Sequence, residues 1–323
     1  MSLREHGDVL ARDGLLDFAV NVWPGPRTPL LERVLEQALS SSRYPDERRA
    51  RTAVAARHGR AEAEVLLLNG ACEGFWLLAH ALRPRLAAVV HPAFTEPDAA
   101  FAAVGTSVAH VMREPAAWTF APDDVPVDAE IVVVGSPNNP TGNVDPPDVV
   151  RSLERPGRLV VVDGSFADFV PFDPAGDVVI RSLTKLWSLA GIRAGYLLGP
   201  AEVVERLEAQ RQPWSVNAVA CAALEACAAD VETPARVSAE VRALRTDLIA
   251  GLEELGIRTW PSVTNYVLLQ LDDGEHVVAA LRERGIAVRP CSSFPGLDAR
   301  HVRVAVRTEQ DNGALLAALE DVL

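Results

Sequence analysis

Among the 31 lysines and arginines of this 323-residue chain there is a single lysine, Lys185. A coding bias towards arginine accounts for the shortage of lysine but not for where the survivor sits. A guanidinium stays protonated and cannot form an imine, whereas a lysine amine can lose its proton and add to an aldehyde. Lys185 lies in the segment R-S-L-T-K-L-W-S-L-A-G-I-R-A-G-Y, residues 181–196, directly after an apolar run. Ser182 and Thr184 offer hydroxyls there and Arg193 a two-pronged cation, the groups that bind a phosphate. The pattern points to carbonyl–amine chemistry on a phosphate-bearing molecule.

Other segments carry groups of the same kind. Asn69-Gly70-Ala71-Cys72-Glu73 reads as a strand running into a helix, whose first amides can receive a phosphate; it can equally be a structural turn. Ser136-Pro137-Asn138-Asn139-Pro140-Thr141-Gly142 is a tight polar turn, and Asp163 ends the apolar run Leu159–Val162. An aspartate there is ordinarily a solvated loop residue, and Phe94 is ordinarily core. Arg289 and Arg303 alternate with valines, which by itself suits the solvated face of a sheet.

Together and in this order, these segments resemble the lysine–arginine signature, the N-P-x-N-P-T-G turn and the strand-end aspartate of the class I/II aminotransferases. The resemblance runs from His6 to about Thr308. It implies the fold type I architecture, α/β, with a mostly parallel sheet in a large domain beside a smaller α+β domain, and pyridoxal 5'-phosphate (PLP) as cofactor. Lys185 would hold PLP as an imine and serve as the base. Asp163 would keep the pyridine nitrogen protonated, and Asn139 would donate to the 3'-oxygen. Ala71, Cys72, Ser182, Thr184 and Arg193 would surround the phosphate, with Phe94 stacked on the ring. Asn21, Arg289 and Arg303 would face an anionic substrate, joined by His6 from a starting H-G-D. Tyr44 would reach the phosphate of a partner subunit, which implies a homodimer with shared active sites. Retention of Lys185, Asp163, Asn139 and Arg193 together argues against a catalytically silent PLP-binding regulator.

Two subfamilies fit. His6-Gly7, the segment R-Q-P-W-S-V-N at 211–217 and Phe166, where many aminotransferases carry tyrosine, favour threonine-phosphate decarboxylase; histidinol-phosphate aminotransferase is the alternative. Cys72 in place of a hydroxyl residue, and Gly164-Ser165 in place of glutamate–alanine, depart from the pattern. Either way the expected substrate is a small phosphorylated amine or amino acid.

The elements that must position these groups are legible as periodicity. Apolar runs at 65–68, 86–90, 131–134, 159–162, 178–181 and 196–198 alternate with helical patterns at 73–82 and 202–211, as in a parallel sheet covered by helices. Thr28-Pro29 reads as a helix cap with proline in the first turn. After residue 230 come a long helix to Leu252, runs at 266–271, 286–289 and 302–306, and helices at 274–284 and at the end. The expected division is an N-terminal arm and helix, 1–40, packed with the C-terminal part; a large PLP domain, 41–230; and a small domain, 231–323.

A formal charge of −13 argues against nucleic acid or an anionic membrane surface, which need a basic footprint. Cys72, Cys221, Cys227 and Cys291 form no C-x-x-C pair and suggest neither a metal site nor disulfides. With no apolar run long enough to span a bilayer and no signal-like start, a cytoplasmic protein is expected.

Overall fold

The computed structural model describes residues 7–11, 14–25 and 27–323; His6 lies outside them. In chain order the elements are β1 (Leu16–Asp17), α1 (Pro29–Leu39), α2 (Arg48–His58), β2 (Val65–Asn69), α3 (Cys72–Leu82), β3 (Leu86–His91), α4 (Glu96–Ala103), β4 (Ser107–Met112), β5 (Ile131–Gly135), α5 (Pro147–Arg151), β6 (Leu159–Asp163), β7 (Val178–Ser182), β8 (Ala194–Leu198), α6 (Ala201–Glu208) and α7 (Ala218–Ala229). They continue as α8 (Glu232–Glu254), β9 (Arg258–Thr259), β10 (Tyr266–Gln270), α9 (Gly274–Glu283), β11 (Ile286–Ala287), β12 (Arg289–Pro290), β13 (His301–Ala305) and α10 (Glu309–Glu320).

Valine-rich strands such as Ile131–Gly135 and Val178–Ser182 are buried along their whole length, as expected of parallel strands covered on both faces. They form a seven-stranded sheet of order β2-β8-β7-β6-β5-β3-β4. Only β8 runs against its neighbours, so β2, β3, β5, β6 and β7 all end on one rim. In open sheets of this kind ligands bind outside the carboxyl ends of the strands. A second, antiparallel sheet of order β12-β13-β10-β9 is built from residues 258–305.

The N-terminal arm divides. β1 pairs with β11 in parallel, and Arg307 donates to the carbonyls of Asp17, Val20 and Val22, which binds the start of the arm to the C-terminal part. Helix α1, capped by the Thr28 hydroxyl accepting from the Leu31 amide, packs chiefly on α7 rather than on the C-terminal part expected for it. Its buried Leu31 and Leu35 join Ala220 and Leu224 in one core cluster.

Seven elements escaped the periodicity reading, the short β1, α5 and β9 and the longer β4, α2, α4 and α7. The edge strand β4 is half-exposed and contains His110, and α2 presents only Ala50, Val54 and Ala55 to the core. In α4 the buried set includes Glu96 and Asp98, and α7 is alanine-rich around its circumference, so neither shows a clean apolar stripe. Among the described residues no helix is long and apolar enough to cross a membrane.

Candidate active site

The rim of the large sheet gathers the groups that sequence spacing separates by more than a hundred residues. Register places Gly135 beside Asp163 and Asp163 beside Ile180, and Asn69 beside Ala194, so the residues beyond these positions emerge side by side. Asp163, Asn139 and Phe94 line one cavity, together with Ala93, Pro97 and Asn138.

Burial pushes the Asp163 carboxyl above the usual carboxylate range, opposed by hydrogen bonding from Ser165 and by the charge of Lys185. Its Oδ1 accepts from the Ser165 amide at 3.0 Å. A buried carboxylate that resists ionisation calls for a cation beside it, which a protonated pyridine supplies. Lys185 is half-buried, with Nζ 5.5 Å from the centre of the Phe166 ring. Its carbonyl accepts from the Trp23 amide at 2.9 Å, so the N-terminal arm reaches the lysine loop.

The two asparagines of the polar turn have different jobs. Asn138 is fully buried and donates to the Pro92 carbonyl at 2.9 Å and the Thr141 hydroxyl at 2.6 Å, holding the turn. Asn139 instead accepts through Oδ1 from Arg303 Nη1, leaving its amide hydrogens as donors. Beneath the turn Arg113 forms a bidentate buried pair with Asp145, at 2.6 and 2.7 Å.

At the other end of the rim, β2 turns through Gly70 (φ 80°) into α3, and Arg193 immediately precedes β8. A Cβ on Gly70 would lie 2.2 Å from Arg193 Nη2, and one on Gly195 would lie 2.7 Å from the Ala71 nitrogen. Only glycine at both places lets the guanidinium, the first amides of α3 and the start of β8 converge. Ser182 and Thr184 are buried alongside, the Thr184 amide donating to the Ser182 hydroxyl at 3.2 Å. A helix N-terminus, an arginine and two hydroxyls, with no anionic side chain bonded to Arg193, Ser182 or Thr184 among the described residues, suit a phosphate.

Cys72 adds little to this set through its side chain. Its thiol turns to the buried Glu96, at 3.5 Å, and burial pushes it up to about 12, so it stays neutral. Glu96 also accepts from Trp76 Nε1 at 3.1 Å.

On the facing C-terminal sheet, Arg289 and Arg303 are direct cross-strand partners on β12 and β13, both buried. Cross-strand partners share a face, so the alternation with valines marks a buried cationic face and not the solvated one. Arg303 donates through Nη2 to the Ala19 carbonyl at 2.7 Å and lies over the Tyr266 ring, while its Nε has no acceptor among the described residues. Burial lowers it to about 10, and Arg289 adds to that lowering. Arg289 donates to Ser293 Oγ at 2.8 Å and lies over Phe294. Asn21 is buried nearby in the arm, its Oδ1 without a partner among the described residues.

Tyr44 stands apart. It is 74% exposed and stacks on Trp214, centroids 4.5 Å apart, so within one chain it touches none of the other site residues by a described contact. Tyr266 was missed in the sequence: its hydroxyl donates to the Asn138 carbonyl at 2.6 Å, and its ring meets Phe166 edge-on. A tyrosine opening an apolar strand carries no signal of such a role.

Comparison with known proteins agrees with this arrangement. The family model described as aminotransferase class I and II matches residues 13–319. A histidinol-phosphate aminotransferase of Mycobacterium tuberculosis is 44% identical over 95% of this chain and 87% of its own length. The threonine-phosphate decarboxylase of Salmonella typhimurium is 32% identical over 100% of this chain and 95% of its own. The crystal structure of a histidinol-phosphate aminotransferase from Clostridium acetobutylicum superposes with a TM-score of 0.89 at 25% identity, covering 95% of this chain and 99% of that one. The buried carboxylate, the glycine-lined approach of Arg193 to the start of α3 and the family match lead to one conclusion: this chain belongs to the class I and II aminotransferases and is a PLP-dependent enzyme.

Proposed function

We propose that the protein is an aminotransferase acting on a small phosphorylated amine of the histidinol phosphate class, with 2-oxoglutarate as amino acceptor. The observation that carries the substrate class is the Arg289–Arg303 pair: two buried arginines directly opposite one another, one of them bridging to Asn139 on the rim, concentrate positive charge at the site and suit an anionic substrate. Transamination is preferred to decarboxylation because the relative at 44% identity is named for the former and the one at 32% for the latter.

This reverses the preference drawn from sequence. Of the features behind that preference, His6 lies outside the described residues, and Arg211 is tied to the Leu67 carbonyl and to Glu47 at 2.9 Å. Phe166 is a buried packing partner of Tyr266. Decarboxylation remains the second reading on one count: Phe166 offers the cofactor no hydroxyl.

Bound PLP supplies an aldehyde for the substrate's amino group and a protonated ring that accepts the charge left on Cα. The chain's own residues then divide the work. Lys185 Nζ would hold the cofactor and would serve as the base at the substrate Cα. Asp163 keeps the pyridine nitrogen protonated, and Asn139 donates from its amide to the 3'-oxygen while Arg303 fixes its carbonyl oxygen. The first amides of α3, at Ala71 and Cys72, with Ser182, Thr184 and Arg193, hold the phosphate, and Phe94 covers the ring. Arg289, Arg303 and Asn21 orient the substrate's anionic ends. The exposed Tyr44–Trp214 stack supports a homodimer in which Tyr44 completes the partner's phosphate site.

The test is to mix holoenzyme with histidinol phosphate or O-phospho-L-threonine, each with and without 2-oxoglutarate. Keto-acid-dependent turnover of histidinol phosphate is expected, with phosphothreonine inert. Release of carbon dioxide from phosphothreonine without any keto acid overturns this reading in favour of the decarboxylase.

A further inference from the structure

Behind the Phe94 loop, three side chains from three elements converge without any part in the chemistry above. His91 ends β3, His110 lies on the adjacent edge strand β4, and Asp98 sits in the first turn of α4. Asp98 Oδ1 is 3.1 Å from His91 Nε2 and 2.7 Å from His110 Nε2, and the two rings are 4.4 Å apart. One ligand atom from each of the three lies within 4.8 Å of the others.

The charge balance of the cluster is unusual. Asp98 is 2% exposed, and among the described residues no arginine or lysine pairs with it. Its Oδ2 and the Nδ1 of the fully buried His91 have no hydrogen-bond partner among those residues. A buried carboxylate with half its acceptor capacity unused, faced only by two imidazoles, is costly unless a cation shares the space. Hydrogen bonding within the triad uses only Oδ1, whereas a metal ion can draw on either carboxylate oxygen.

We propose that His91, Asp98 and His110 form a binding site for a divalent transition metal, zinc in the first instance. Two imidazoles and one carboxylate are a borderline donor set suited to zinc, cobalt or nickel rather than to magnesium or calcium. Zinc takes such donors at about 2.0–2.2 Å, so the contracted triangle needs only small side-chain movements. His110 is 39% exposed at its side chain, which gives the ion a route in and leaves the fourth position to water. The sequence hides the site because no two ligands share a helix face or a metal-type spacing; the β3–β4 pairing brings them together. His91 is three residues from Phe94, so an ion here braces the loop that carries the proposed ring-stacking residue.

The experiment is zinc titration of chelator-treated holoenzyme by calorimetry, repeated with cobalt to read ligand-field absorption. Wild type is expected to bind one equivalent per chain and to gain thermal stability with zinc. His110→Ala, which removes a partly exposed ligand, and Asp98→Asn, which keeps the shape and one hydrogen-bond acceptor, are both expected to weaken binding. The loss should exceed the roughly 10–100-fold that outer-shell changes cost, with the cofactor's absorbance retained as the check on folding. Equal zinc binding by wild type and both folded variants, or no saturable binding by wild type, overturns the proposal.

Discussion

The rim of the large sheet and the arginine face of the small one are built on opposite plans. On the rim, each group leaves the end of a buried strand, and the strands are locked by register, so Asp163 and the Lys185 loop have little freedom. The arginine face is held from outside: Arg303 and Arg307 donate to backbone carbonyls of residues 17–22, and Arg303 bridges to Asn139 on the rim. A rigid half suits chemistry that needs fixed geometry, and a half assembled from the arm and a second sheet suits selection of the substrate.

That contrast is tested most severely by Lys185→Ala. It is expected to lower kcat by about a thousandfold or more while leaving a folded protein, since a base positioned at the reacting carbon is lost. In wild type, borohydride should fix the cofactor to Lys185, read by mass mapping of the reduced peptide; labelling of any other residue removes the assignment.

Asp163→Asn comes next, with a loss of about a hundred- to a thousandfold in kcat and PLP still bound. The same variant has an opposite effect on the cofactor-free protein. Because the folded carboxyl lies above its unfolded value, its contribution favours folding below the unfolded value and is lost as pH rises through the folded one. The amide escapes this loss, so cofactor-free Asp163→Asn should melt higher than wild type at neutral pH and show no such advantage in acid. Equal melting temperatures at neutral pH refute the burial argument.

Arg289→Ala probes the other half. Loss of one charge-assisted contact should raise KM for a phosphorylated substrate roughly ten- to a hundredfold with a smaller change in kcat. An unchanged KM would separate Arg289 from the substrate. The smallest effect is expected of Tyr44→Phe, which should weaken PLP affinity by about two- to tenfold through one lost hydrogen bond. Affinity equal to wild type in a protein that sediments as a dimer would detach Tyr44 from the shared site.

The chemistry was legible because reactive residue types sit at strand ends, where an apolar run gives way to polar side chains. Lys185 stood out as the single lysine and Asp163 as the end of an apolar run, while the role expected of Asn139 came from the family resemblance; the strands at 65–69, 131–135 and 178–182 could be read because their burial leaves an apolar record. Strand β4 was not legible, because an edge strand carrying polar residues leaves no such record.

What the sequence determined alone was one amine capable of an imine, a segment of hydroxyls and an arginine around it, and an acid at the end of an apolar run. Three-dimensional packing decided the rest. It set Arg289 opposite Arg303, put Tyr266 beneath Asn138, turned the Cys72 thiol towards Glu96 and drew His91, Asp98 and His110 into one cluster. Each depends on how separate elements pack or pair, and a one-residue change of strand register would point a side chain such as Arg303 or His110 to the other face without altering any local pattern.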